Sequence, residues 1–107
     1  MEQKMSTQLG FDFYEDCADI RSTVLQTAKE YVTKDRPAEY GDVEENFRTI
    51  ADYWSTHLAV DVTSIDVSIM MTLLKIARLK SNSQNIDSWV DGCGYLALGA
   101  ELSDEVS

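Results

Sequence analysis

The sequence predicts an all-α protein, a four-helix up-and-down bundle assembled as a homo-oligomer, and three observations carry that expectation. One proline and five glycines punctuate 107 residues, leaving stretches between turns that suit helices better than many short strands. Apolar residues recur three and four apart in four separate segments, the period of a helical stripe. The segments are joined by short connections, which make antiparallel neighbours of successive helices. The length allows one domain with a single modest core. Residues 1–14 read as a loose N-terminal arm, 15–102 as the helical domain and 103–107 as an acidic tail expected to fray.

In the arm, Phe11, Phe13 and Tyr14 could tie its end to the body. The first helix is expected from Asp16 to about Lys34, on the stripe Cys17, Ile20, Val24, Ala28 and Tyr31. DRPAEYG, residues 35–41, holds the sole proline and a glycine and turns the chain. Asp42 then stands where an N-cap is wanted, ahead of the stripe Val43, Phe47, Ile50, Ala51, Trp54 and Leu58. Thr63 with Asp66 three residues on resembles a capping box. A third helix follows over about Ser64–Lys80, with Ile65, Ile69, Met70, Leu73, Ile76 and Ala77 as its apolar side. After the polar loop SNSQN, a fourth runs from near Asp87 to about Leu102. Leu74 and Met71, or Trp89 and Leu96, leave helices three and four apolar on more than one side, so burial against another subunit is expected.

Nineteen acids against nine Lys and Arg give a net charge of −10, a field that repels duplex nucleic acid. It suits metal cations, basic protein surfaces, or nucleotides carried in with a divalent ion. No run approaches the roughly 18 apolar residues of a membrane span, and MEQKMSTQLG lacks a signal-peptide core, so a cytoplasmic location is expected. Cys17 and Cys93 are expected as reduced packing residues. A single histidine, His57, near a helix end, argues against Ser-His-Asp, Cys-His and His-rich zinc chemistry. Neither GxxxxGK[ST] nor GxGxxG occurs, and the glycines of GCGY read as close helix packing.

Projecting each helix at about 100° per residue places several charges inward. Asp91 falls on the arc of Tyr95, Leu98 and Leu102 with Asp87 beside it; Asp66 falls between Ile69, Leu73 and Met70. Arg21 lies between Val24, Ala28 and Val32, and Lys80 lands on the apolar side of helix three. Asp87 and Asp66 have an ordinary explanation as N-terminal caps. Asp91, one turn further in, needs either an ion pair, with Arg21 or Lys80, or a Mg²⁺ or Mn²⁺ ion, since hard cations choose carboxylate oxygens. Asp42 and Glu45 have the spacing of a paired metal-binding motif, although Glu45 projects to the wet side. Asn46 at the stripe edge could read a base or ribose edge or hydrogen-bond another helix. Lys75 and Arg78 project to the polar side of helix three, as a phosphate clamp or a solvated face.

The series Arg21, Leu25, Ala28, Asp35-Arg36, Tyr40-Gly41, Asn46-Phe47, Ile50-Ala51, Trp54, Asp66-Val67, Met70-Met71, KIAR (75–78) and DSWVDGCGY (87–95) resembles a family of small, uncharacterised helical proteins found mainly in phages and prophages, over residues of about 20–100. More distantly, helical acids in two clusters near basic residues are similar to the MazG-like all-α nucleoside triphosphate pyrophosphohydrolases. Those use a Glu pair three apart and a later Glu-x-x-Asp to hold Mg²⁺ and position water. That resemblance implies Asp42 with Glu45 and Asp87 with Asp91 as the clusters, the second departing from the pattern with a spacing of four. It implies Asp91 and Asp87 as catalytic acids, Asp91, Asp87, Asp66, Asp42 and Glu45 as metal ligands, and Lys75, Arg78, Arg21 and Asn46 on the nucleotide. The alternative is a non-enzymatic acidic phage accessory protein that binds and inhibits a host factor, for instance by mimicking nucleic-acid charge.

Overall fold

The computed structural model describes the backbone of residues 13–35 and 42–106 and the side chains of residues 19–33 and 42–104. The expected arm up to residue 12, residues 36–41 of the turn, and the Cys17 side chain lie outside them. Four α-helices occur and no strand among the described residues: α1 (Phe13–Glu30), α2 (Val43–Leu58), α3 (Ser64–Ser81) and α4 (Ile86–Val106). No helix among them is long and apolar enough to cross a membrane.

Phe13 and Tyr14, assigned by sequence to the arm, are already helical. At its other end α1 widens into a π-helical turn, Tyr31–Asp35. Thr33 sits in this turn and donates its hydroxyl to the Lys29 carbonyl at 2.6 Å, the kind of side-chain competition that bends a helix end. Asp42 occupies the N-cap of α2 without a side-chain cap bond. The C-terminus of α2 is closed by Ala59 in the left-handed region (φ 61°), whose N–H donates to Ser55 O at 2.8 Å. Ser55 also accepts from the Val62 N–H at 2.8 Å, folding the AVDVT connection back onto the helix.

The capping box of α3 is complete: Asp66 N–H donates to Thr63 Oγ1 at 3.1 Å, and Thr63 N–H donates to the Asp66 carboxylate at 3.0 Å. For α4 the cap is Asn85 rather than Asp87, since Asn85 Oδ1 accepts from the Ser88 N–H at 3.2 Å. Asp87 is instead an exposed first-turn acid, favourable beside the helix N-terminus. The tail expected to fray is helical through Val106, so α4 ends a turn later than its apolar stripe indicates.

Packing is most extensive between α3 and α4, with α1 and its π-turn on α4 and α2 on α3. A comparable α1–α2 packing is not found among the described residues, so the helices are linked in the order α1–α4–α3–α2. The core joins Phe47 and Ala51 of α2, Val67 of α3, and Leu98 and Leu102 of α4. Where α3 meets α4 the contact is made by small residues. A Cβ added to Gly99 would lie within 3.1 Å of Ser68 Cβ and closer still to its hydroxyl. That buried hydroxyl donates to the Tyr95 carbonyl, and Thr72 donates to the Ser68 carbonyl at 2.9 Å. Gly94 lets Val32 approach, a Cβ there meeting Val32 Cγ1 at 3.3 Å.

This close seam reverses the expected orientation of α3. Its inward face is Val67, Ser68 and Thr72. Most of the stripe read as its core side is outward, with Ile69 48%, Leu73 56% and Ile76 53% exposed, while Ile65 at its start packs against the core. Helical geometry puts the two sets on opposite arcs, and the tighter seam takes the interior.

Candidate functional site

Among the candidate acids, Asp91 is the one that reaches an interior ion pair. It lies on the inward arc of α4, as its position beside Tyr95 and Leu98 predicts, and its carboxylate meets Lys75 Nζ of α3 at 3.0 Å. The expected partners, Arg21 and Lys80, are both exposed on other surfaces. Lys75, placed by projection on the wet side, is largely covered instead, its side chain 14% accessible against 33% for Asp91. The reversal of α3 explains both corrections: turning Ser68 and Thr72 inward carries Lys75 with them, and turning Ile69 and Leu73 outward carries Lys80 away. A Cβ added to Gly92 would be 4.0 Å from Lys75 Cβ, ordinary van der Waals contact. With one partner covered and the other a third exposed, the pair is shielded from salt more than a surface bridge but is not desolvated.

Beside the pair lies a cleft of about 110 Å³ between the π-turn and α4, lined by Tyr31, Val32, Val90, Asp91, Gly94 and Tyr95 with Leu98 at its floor. At ~30 Å³ per water it has room for about three or four waters or one small polar group. A whole nucleoside is larger than this, as pockets for such ligands run to several hundred Å³. Tyr95 also stacks at a tilt on Phe47, ring centres 6.4 Å apart. The motifs singled out in the sequence therefore converge: Lys75 of KIAR, Asp91 and Tyr95 of DSWVDGCGY, and Phe47 of the Asn-Phe pair form one connected locus. Tyr31 and Val32 complete it and were not foreseen, because a π-turn leaves no period in the sequence.

The remaining candidates stand elsewhere. Asp66 is half-buried and used in the capping box. Asp42, Glu45 and Asn46 are exposed at the start of α2, as Glu45 was expected to be, and Arg78 is exposed on α3. Among the described residues no three of His, Cys, Asp and Glu come together as a group able to hold a metal ion. The two acid clusters implied by the distant resemblance are thus not joined in one chain. Cys93 is a free, half-buried thiol, and His57 is exposed in the last turn of α2.

Comparison with known proteins agrees with the nearer resemblance. The chain is 42% identical over 74 residues to the Gene 55 protein of Mycobacterium phage L5, covering 68% of this chain and 47% of that protein. It is 34% identical over 83 residues to the Gene 55 protein of Mycobacterium phage D29, covering 78% of this chain and 55% of that one. The chain therefore spans about half the length of these phage relatives. No solved structure matches it. A family model aligns over residues 23–103, from within α1 almost to the end of α4, and the chain belongs to that family, described as a domain of unknown function, DUF6378.

Proposed function

We propose that the protein is a phage-type nucleotide-binding protein of the MazG-like kind, with the Lys75–Asp91 pair and its cleft as the binding locus. The observation that carries this reading is the meeting of the sequence motifs at one charged point beside the α3–α4 seam. In it, Lys75 offers an ammonium to a phosphate, Asp91 offers a carboxylate at the cleft, and the tyrosines at positions 31 and 95 border the same space. The cleft admits one phosphate-sized group, so the sugar and base would lie outside it. Mg²⁺ is held by one or two carboxylates together with substrate phosphates and waters rather than by an all-protein cage. Asp91 fits such an ion as a companion of the nucleotide, and the chain's own described acids do not form a site for the ion alone. A bound ion would neutralise phosphate charge; pyrophosphohydrolysis, with Asp87 and Asp91 as acids, is not part of the reading, because Asp87 stands exposed in the first turn of α4 and no group of acids gathers around Asp91 among the described residues.

The test is melting temperature with Mg²⁺ or Mn²⁺ alone, nucleoside triphosphate alone, and both together, since a ligand of the folded state raises it by mass action. The expected result is a rise with both together and little with either alone, abolished by Asp91→Asn. No shift at millimolar ligand overturns the reading. A second reading, a non-enzymatic acidic accessory protein that binds a host factor, is favoured by the internal neutralisation of Asp91 and the net charge of −10. It predicts association with a basic partner that weakens steeply as salt rises and needs no divalent ion.

A further inference from the structure

We infer that the outward face of α3 docks an antiparallel second copy of this chain across a two-fold axis at Leu73. The inference does not depend on the nucleotide reading, since the Lys75–Asp91 pair lies on the opposite side of the α3–α4 seam.

Three observations argue for a second copy rather than another partner. First, the face is large and apolar. Ile69, Met70, Leu73 and Ile76 are 39–56% exposed on α3, and Trp89 and Leu96 of α4 are 46% and 56% exposed. On a projection of the two antiparallel helices, Trp89 and Leu96 flank the same side of the seam as Ile69 and Ile76. At on the order of 100 Å² for each half-exposed large side chain, the six supply most of the roughly 800 Å² per partner of a stable interface.

Second, Asp66 is the one acid on the α3 arc centred on Leu73 although the chain carries a net charge of −10, so two copies meet here with less repulsion than at surfaces richer in acids.

Third, its only two charges are self-complementary. Asp66 and Lys80 stand on the same arc as Leu73, seven residues before it and seven after. Antiparallel pairing centred on Leu73 therefore sets Asp66 of each copy against Lys80 of the other, and Ile69 against Ala77. A two-fold contact is isologous in this sense, each patch meeting its own copy. Asp66 Oδ2 accepts the Thr63 N–H in the capping box, and Lys80 is exposed.

Sedimentation equilibrium at micromolar concentration should give twice the 12.1 kDa chain mass. Leu73→Asp should give a monomer with unchanged helical circular dichroism, and Lys80→Glu should raise the dimer Kd about tenfold. In a background with both cysteines replaced by serine, Ile69→Cys and Ala77→Cys chains mixed together should oxidise to a disulfide-linked pair, and neither should do so alone. A wild-type monomer, or a dimer that survives Leu73→Asp, overturns the proposal. Cross-linking of each single-cysteine chain to itself, without the mixed product, overturns the antiparallel register.

Discussion

The two sides of α3 carry opposite chemistry to the places they occupy. The inner side, Val67, Ser68 and Thr72, is small and half polar and is buried; the outer side, Ile69, Leu73 and Ile76, is larger and wholly apolar and is exposed. The difference teaches that burial within this chain is decided by how near two helices can come. Ser68 and Gly99 let α3 and α4 close until side chain nearly touches backbone, and the hydroxyls of Ser68 and Thr72 both donate to carbonyls. Small residues lose little side-chain entropy on ordering and gain contacts along the whole seam. The bulkier stripe is left for another surface to cover.

The contrast can be broken first at its tightest point. Gly99→Val would place a branched side chain against Ser68 and should destabilise the fold by about 3 kcal/mol or more, read as a lowered urea midpoint. An effect under 1 kcal/mol would show that the seam can open. Next, Lys75→Met should cost about 2 kcal/mol by leaving Asp91 uncompensated, the figure reduced from that of a fully buried pair because Asp91 is a third exposed. Adding Asp91→Leu to Lys75→Met should recover most of the loss; if the double variant is no better than the single, the pair is not what holds the two helices in register. Thr63→Ala removes the side-chain half of the α3 capping box and should cost about 1 kcal/mol in the same measurement. Smallest of all, Ile69→Ser, one residue from Ser68, should change unfolding free energy by less than about 0.5 kcal/mol at concentrations low enough to keep the chain monomeric. A loss of several kcal/mol there would mean that the apolar stripe is the internal one after all.

Much of the fold is legible in the residues themselves. The stripe from Val43 to Leu58 and the box at Thr63 and Asp66 place α2 and the start of α3 within a residue, because periodicity and caps are local signals. Asn85 was harder to see as the α4 cap because Asp87 is an equally good capping type two residues later. Asp91 is legible as an inward acid from its arc with Tyr95, Leu98 and Leu102. Its partner is not, because assigning Lys75 to the wet side rested on taking the most apolar arc of α3 as its interior. The cleft was illegible for a different reason: it depends on a π-turn at Tyr31 and Val32, where the side-chain period of an ordinary helix no longer holds.

By itself, then, the sequence determined the helical class, the extent of most helices, their caps and the acidic field, since each follows from interactions between residues near in the chain or from a sum over all of them. Only the tertiary structure decided which arc of α3 faces α4, and with it that Lys75 rather than Lys80 or Arg21 neutralises Asp91. A helical period names the faces of a helix but not their neighbours, and here the neighbour was chosen by the missing side chain of Gly99 and the short one of Ser68.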